Sequence, residues 1–396
     1  MVDRRLPNTD EARQLRAMAA VVPEQLEQFI AQSNSEAQRC ARRKKWSKAH
    51  RFAMDVVVGR RILIEVDKAR PFELAVALGA FAAYAMRDGL TFDAGSAADE
   101  VVELCERLMP WDLREARQLA DDFRACGLCV QATAITQRVI GAYRVLAEEN
   151  PDHEPDLAAM LDQLVWDHYR TESWSLAREP AAECVELCRR IAAATPAYRP
   201  QLARALTSLS MGLSSCKDPS AAQFGEESVA LYRTLVAEDP KHVPAFAEAL
   251  TQRSRCDSDR GRWADSIEAT REAIELLDAA PRTQSTLTLL AELTLWHSGT
   301  LRDTGDIPGA LAIGKRSYRL HWQAVAADRT EVIALAGAML SMSATWARAG
   351  RRRKAIRLGK KSIRIYRRAA VDDPHYEDEL IFATKHLRYL ILDTRR

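Results

Sequence analysis

The stretch GRWADSIEATREAIELL, residues 261–277, has the apolar spacing of one amphipathic helix that begins just after a turn glycine. The same pattern returns as GDIPGALAIGKRSYRLH at 305–321 and as GRRRKAIRLGKKSIRIY at 350–366. The three copies begin 44 and then 45 residues apart. A pattern that returns at a nearly fixed interval indicates a chain built from stacked helical repeats.

Each copy carries small side chains at positions 5, 9 and 12 after its opening residue. The nine residues are Ser266, Thr270, Ala273, Ala310, Gly314, Ser317, Ala355, Gly359 and Ser362. Spacings of four and three place each set on one face of its helix, where a neighbouring helix can approach closely. The same pattern extends backwards to openings near residues 44, 89, 127, 172 and 216.

A second helix precedes each opening, as in RPQLARALTSLSMGLSSC at 199–216. Short joints such as AEDPKHVP follow the repeated helix, and an Asp before Pro ends one helix and starts the next. No stretch has the alternation of a series of strands. The sequence therefore predicts an all-α fold of antiparallel helix pairs, with an A helix before each turn and a B helix after it.

The helix A–turn–helix B order, the stripe of small residues and the Pro-bearing joints resemble the tetratricopeptide repeat family from about residue 36 to the end. The interval of 44–45 residues is longer than that family's usual one, and is similar to kinesin light chains and many bacterial regulators. The resemblance implies a right-handed α-solenoid whose A helices line a concave groove. We expect an N-terminal helical cap at 1–35, the repeat array at 36–375 and a C-terminal capping helix at 376–396.

Composition and charge narrow the class of protein. The longest nearly uncharged run, LAVALGAFAAYAM at 74–86, is too short to span a bilayer. Eight cysteines without a secretory signal favour reduced thiols and a cytoplasmic location. The net charge of +2 is unevenly distributed, with an acidic middle and two basic ends, which leaves self-association between the middle and the ends open.

The chemical motifs are weak. GALAIGKR at 309–316 lacks the hydroxyl residue of a phosphate-binding loop and lies inside a repeat helix. Cys126 and Cys129 have thiol-pair spacing, but nothing indicates two further metal ligands. We therefore predict a non-enzymatic protein without cofactor or metal, and an active site assembled across distant repeats stays as the third interpretation.

Eight tryptophans suggest two kinds of position. Trp46, Trp174 and Trp263 share position 2 after an opening and are interpreted as repeat core. Aromatic and cationic residues on A helices would anchor a ligand in the groove. The predicted groove residues are Trp166, Arg204, Gln252, Arg255 and Trp296.

The B helix of the last copy is strongly basic and contains no acid between residues 353 and 368. At 100° per residue, its basic side chains fall within one arc of about 140°. They are Arg353, Lys354, Arg357, Lys360, Lys361, Arg364, Arg367 and Arg368, called the basic patch below. A solvated outer face, an acidic protein partner, and nucleic acid or anionic lipid are the open readings.

The sequence as a whole predicts a scaffold that binds a protein or peptide through the concave groove and the basic convex patch. The alternative is a ligand-sensing regulatory array that acts on nucleic acid or on a signalling partner.

Overall fold

The computed structural model describes residues 23–65, 71–107, 113–372 and 376–392. These residues form seventeen α-helices and no strand, which confirms the all-α prediction. The helices are α1 Pro23–Arg42, α2 Trp46–Glu65, α3 Pro71–Arg87, α4 Thr91–Arg107, α5 Leu113–Cys126, α6 Cys129–Glu149, α7 Glu154–Arg170, α8 Trp174–Ala194, α9 Arg199–Ser215, α10 Ala221–Glu238, α11 Val243–Asp259, α12 Trp263–Ala279, α13 Gln284–Asp303, α14 Ile307–Ala327, α15 Val332–Arg348, α16 Arg352–Asp372 and α17 Glu377–Leu392.

Every predicted opening is a turn between an odd-numbered A helix and an even-numbered B helix. The turn residue has a positive φ, between 54° and 93°, at all eight places. These residues are Lys44, Gly89, Gly127, Glu172, Lys217, Gly261, Gly305 and Gly350, of which Lys217 lies one residue after the predicted opening at Cys216. At a typical turn, the amide of Arg262 donates to the carbonyl of Asp257 at 2.8 Å, the closure of a helix end in the Schellman motif.

The predicted stripe of small residues is buried in the contact between each A helix and its B helix. The side chain at position 12 also donates a hydrogen bond to a carbonyl of the A helix, and an A-helix serine donates to the carbonyl at position 5. The first bond recurs as Ser228 to Ala203 (2.8 Å), Ser317 to Ala291 (3.1 Å) and Ser362 to Ala336 (2.8 Å). The second recurs as Ser210 to Ala221 (2.7 Å), Ser298 to Ala310 (2.8 Å) and Ser343 to Ala355 (2.9 Å).

Ion pairs join the outer faces of successive B helices. The residue at position 17 of one B helix pairs with the residue at position 11 of the next, an arrangement called the ion-pair ladder below. Its pairs are Arg61–Glu100 (2.6 Å), Arg144–Glu183 (2.6 Å), Arg189–Glu227 (2.7 Å), Arg233–Glu272 (2.8 Å) and the reversed pair Asp278–Arg316. The next equivalent positions hold Trp322 and Lys361, so the ladder ends there.

The chain divides into two compact units, Met1–Leu187 and Cys188–Arg396. In the first unit, a buried Arg124–Asp167 ion pair links α5 to α7, with Arg124 Nε 2.7 Å from a carboxylate oxygen. In the second unit, the main core surrounds Phe246 and Leu250. A smaller cluster there packs α15, α16 and α17 together.

The predicted domain boundaries meet the helices as follows. Residues 1–22 of the expected N-terminal cap lie outside the described residues, and α1 runs across the boundary at residue 35. Most of the expected C-terminal capping segment is α17, which packs on α16. The boundaries themselves stay a prediction.

Two of the three tryptophans at position 2 are surface residues, so the core interpretation was wrong for them, whereas Trp46 is half-buried and stacks on Tyr84. Trp174 and Trp263 are 37% and 42% exposed. Trp174 lies 5.0 Å from the ring of Tyr169 at the end of the preceding A helix. The ring of Trp174 therefore lies over the outside of the turn. Position 2 is the first residue of the B helix, ahead of the part that packs against the A helix.

The turn residues offer a direct test of the repeat geometry. Glu172 has a left-handed backbone conformation (φ 55°) that strains a side chain with a Cβ. We expect Glu172→Gly to stabilise the protein by about 0.5–1 kcal/mol and Gly261→Ala to destabilise it by about 1 kcal/mol. Urea unfolding checks both, and Gly95→Ala within α4 is the control that should not destabilise. Loss of stability in Glu172→Gly would contradict the assignment.

Two buried histidines make the second unit sensitive to acid. His297 accepts or donates a hydrogen bond at 2.6 Å with the hydroxyl of Thr270, and His321 is 1% exposed. Burial lowers the pKa of each imidazole to about 4. The unfolded chain therefore takes up protons between pH 6.5 and 4 that the folded chain excludes.

We accordingly expect full stability above pH 6.5 and a progressive loss as the pH falls towards 4. At pH 5 the loss amounts to up to about 2 kcal/mol for each histidine. The measurement is the unfolding free energy in urea at pH 7.5 and pH 5. The variant His297→Gln with His321→Gln should show a flatter dependence, and an unchanged slope would refute this origin of the acid sensitivity.

Candidate binding surfaces

Charged side chains occupy the same place on three successive A helices of the second unit. Arg204 on α9, Glu248 on α11 and Glu292 on α13 follow one another at intervals of 44 residues, and all three are exposed. Arg255 and Trp296 lie further along α11 and α13. These five residues are called the A-face below.

The two carboxylates of the A-face are partly dehydrated although they reach the surface. Burial among neighbouring side chains raises the pKa of Glu248, and Glu292 raises it further while Arg204 opposes the change. Burial likewise raises the pKa of Glu292, together with Glu331 and against Arg255. The ionised forms are therefore held at an electrostatic cost, which a cation placed between them would relieve.

The aromatic member of the A-face is fixed in place by a hydrogen bond. The indole nitrogen of Trp296 donates to the hydroxyl of Ser254 at 3.1 Å, from α13 back to α11. The guanidinium carbon of Arg255 lies 5.5 Å from the centre of the Trp296 ring, a cation–π contact. A rigid aromatic surface with a cation beside it results.

Gln252 is a predicted groove residue that the structure places in the core. It is 5% exposed, and its amide nitrogen contacts Ser210 Oγ at 3.5 Å and Cys256 Sγ at 3.4 Å. Gln252 and Trp296 are 44 residues apart, and each donates to the serine of the preceding A helix. The side chain therefore links two repeats and is not available to a ligand.

Trp166 lies on α7 in the first unit, whereas the other four predicted groove residues lie in the second. Its ring is half-buried and meets Tyr169 edge-on at 5.5 Å. No described residue accepts a hydrogen bond from its indole N–H.

All eight residues of the basic patch are exposed on α16, while Ala355, Ile363 and Tyr366 on its other side are buried. The eight cations thus lie on the exposed side of α16. Across the described ranges, no acidic side chain forms an ion pair with any of the eight. The ammonium of Lys354 lies 4.6 Å from the centre of the Trp346 ring. The patch keeps its charge available to a partner.

The weak chemical motifs fold as ordinary helix. Gly314 of GALAIGKR is buried inside α14, so this stretch forms no phosphate-binding loop. Within the residues that the structure describes, no group of three or more His, Cys, Asp and Glu side chains could hold a metal ion. None of the described helices combines the length and apolar character needed to cross a membrane.

A family model of the tetratricopeptide repeat matches residues 335–376, which cover most of α15 and α16. Comparison with curated protein sequences found no match. Solved structures with a similar arrangement include BtubC (BKLC) from P. vanneervenii, at 16% identity and a TM-score of 0.49 over 61% of this chain and 91% of that chain. Another is a Rap protein complexed with Competence and Sporulation Factor, at 11% identity and a TM-score of 0.45 over 92% and 98%.

The described residues form paired α-helices of a repeat protein, and the segment 335–376 within them matches the tetratricopeptide repeat. The resemblance inferred from the small-residue stripe is therefore confirmed. The repeats of this chain keep the longer interval of 44–45 residues through the second unit.

The electrostatic cost of the ionised A-face carboxylates can be measured through the stability of the protein. Because the pKa of Glu292 is raised in the folded chain, its carboxylate costs stability at neutral pH and costs nothing once it is protonated in both states. We expect Glu292→Gln to raise the Tm at pH 7.5 and to have little effect at pH 4. Glu268→Gln on α12 is the matched control. A lowered Tm at pH 7.5 would contradict the assignment.

Proposed function

We propose that this protein is a non-catalytic scaffold that binds a peptide segment or partner protein along the A-face of its second unit. The observation that carries the proposal is the order Arg204, Glu248, Glu292 at one position of three successive helices. Charges of defined sign, fixed on rigid helices at regular intervals, favour a ligand with the complementary order.

The electrostatic cost of the A-face supports the same reading. Two neighbouring carboxylates with raised pKa values reduce the stability of the free protein. Such arrangements occur where stability is lost in favour of binding. A lysine or arginine of the ligand between Glu248 and Glu292 would remove the cost. The ring of Trp296 would anchor an apolar or aromatic neighbour of that residue.

The basic patch is a second surface, on the B helix of the last repeat. Its eight exposed cations favour an acidic protein partner, and nucleic acid is the alternative that would make the chain a regulatory array. A salt-dependent affinity for duplex DNA would favour that alternative. An enzyme with a site assembled across repeats remains the third interpretation.

The compartment proposed for this function is a reducing cytoplasm. None of the eight cysteines, all of which lie within the described residues, forms a disulfide bond, and this includes Cys126 and Cys129 despite their short spacing. Free thiols persist where glutathione and thioredoxin keep them reduced.

The A-face proposal can be tested by selecting peptides from a random library displayed on phage against the full chain. We expect the selected peptides to carry a lysine or arginine beside an apolar residue. Reversing Glu248→Lys with Glu292→Lys should weaken a selected peptide at least tenfold, since each lost charged contact contributes about 1.5–3 kcal/mol. Fluorescence anisotropy measures the affinity.

Glu268→Lys on α12 reverses one charge outside the A-face and should change the affinity less than threefold. If the double reversal leaves binding unchanged while neutralising the basic patch abolishes it, the A-face is not the binding surface.

A further inference from the structure

α17 is the last A helix that the structure describes, and no described helix covers one of its sides. In earlier repeats, Ala336 and Ser343 of α15 face the B helix that follows and exchange hydrogen bonds with it. The residues 45 positions later are Ile381 and Arg388 on α17. The same stripe, with spacings of four, three and four, comprises Ile381, Lys385, Arg388 and Leu392, all exposed. No described element covers these four side chains.

The preceding B helix, α16, contributes a second uncovered stripe. Arg367 stands at position 17, from which earlier B helices reach across to the next one in the ion-pair ladder. The stripe of α16 that contains Arg367 comprises Lys360, Arg364, Arg367 and Val371, again with spacings of four, three and four residues. All four side chains are exposed. These eight residues of α16 and α17 are called the terminal groove below.

The terminal groove combines positive charge with apolar surface. It holds five cations and no acid, and none of the five forms an ion pair with a described residue. Val371, Ile381 and Leu392 are 82%, 47% and 50% exposed. A helix that continued the ladder would place a carboxylate opposite Arg367, as Glu272 lies opposite Arg233 at 2.8 Å.

We propose that the terminal groove binds an acidic amphipathic helix of a partner protein, seated where the B helix of a further repeat would lie. The two helical stripes fit the apolar face of such a helix, and the five cations match its acids. Nucleic acid would leave the three apolar side chains without a contact. A symmetric contact between two copies would set the five cations against themselves.

The features of the incoming helix follow from the B helices already in place. α12 carries the small residues Ser266, Thr270 and Ala273 on the side that meets its A helix, and Glu272 on the side that meets Arg233. A partner helix with small residues on one stripe and an acid beside them would fit in the same way. The inference rests on the scaffold function proposed above, and it uses none of the A-face residues.

The test uses a fluorescein-labelled peptide with the sequence of residues 261–279, acetylated and amidated, titrated into the full chain at physiological salt. We expect saturable binding by fluorescence anisotropy. Arg367→Glu should weaken binding at least tenfold, and the peptide change Glu272→Arg should do the same on the unchanged protein. The two changes together should restore the affinity to within threefold, because the charge pair is reformed in reverse.

Arg353→Glu makes the same charge change on α16 outside the terminal groove, and we expect it to alter the affinity less than threefold. Circular dichroism establishes that each variant is folded. Absent peptide binding, equal losses for the two variants, or failure of the paired change to restore affinity would each overturn the proposal.

Two further outcomes would also overturn the proposal, because each would show that the terminal groove binds something other than an acidic helix. The first is duplex DNA that displaces the peptide and is itself lost in Arg367→Glu. The second is a dimer in sedimentation equilibrium that becomes a monomer in Arg367→Glu. Peptides selected on the A-face should bind Arg367→Glu normally, which separates failure here from failure of the scaffold function.

Discussion

The close contact between each A helix and its B helix is the constraint on which the rest of the structure depends. Small residues let the two backbones approach, and the hydroxyls of that stripe satisfy carbonyl groups of the opposite helix, as Ser228 does for Ala203 at 2.8 Å. Bulkier residues would separate the helices and break the hydrogen bonds that run in each direction between them. In the second unit, Gly314 shows how little room remains, since a Cβ there would lie 2.8 Å from the hydroxyl of Ser298.

The same helix pair returns at regular intervals along the chain, and both proposed surfaces are consequences of that regularity. Equivalent residues on successive helices face the same way, so Arg204, Glu248 and Glu292 become one row without being close in sequence. The ion-pair ladder follows from the same regularity on the B helices. A binding surface in such a fold is therefore a row of side chains, to which each successive repeat contributes one residue.

The sequence predicted the features that form within one helix pair. It missed the features that need side chains from several repeats. Turns and small stripes are local patterns, and the structure bears them out. The burial of Gln252 and the raised pKa of Glu248 depend on side chains contributed by neighbouring repeats. An alignment of the repeats at intervals of 44 residues would have placed Gln252 with Trp296, whose indole makes the equivalent bond. Hydropathy of a single helix carries no such information.

The reversal of charge at Asp278 and Arg316 makes the repeats of the second unit non-interchangeable. Removal of residues 216–260 would bring Arg189 opposite Glu272, and the outer faces would still attract. Removal of residues 261–304 would instead bring Arg233 opposite Arg316, and the new neighbours would repel. Removal of residues 305–349 would bring Asp278 opposite Lys361, and these neighbours would attract. Loss of a unit on either side of α12 therefore keeps an attractive pair, whereas loss of the α12 unit itself sets two arginines against each other.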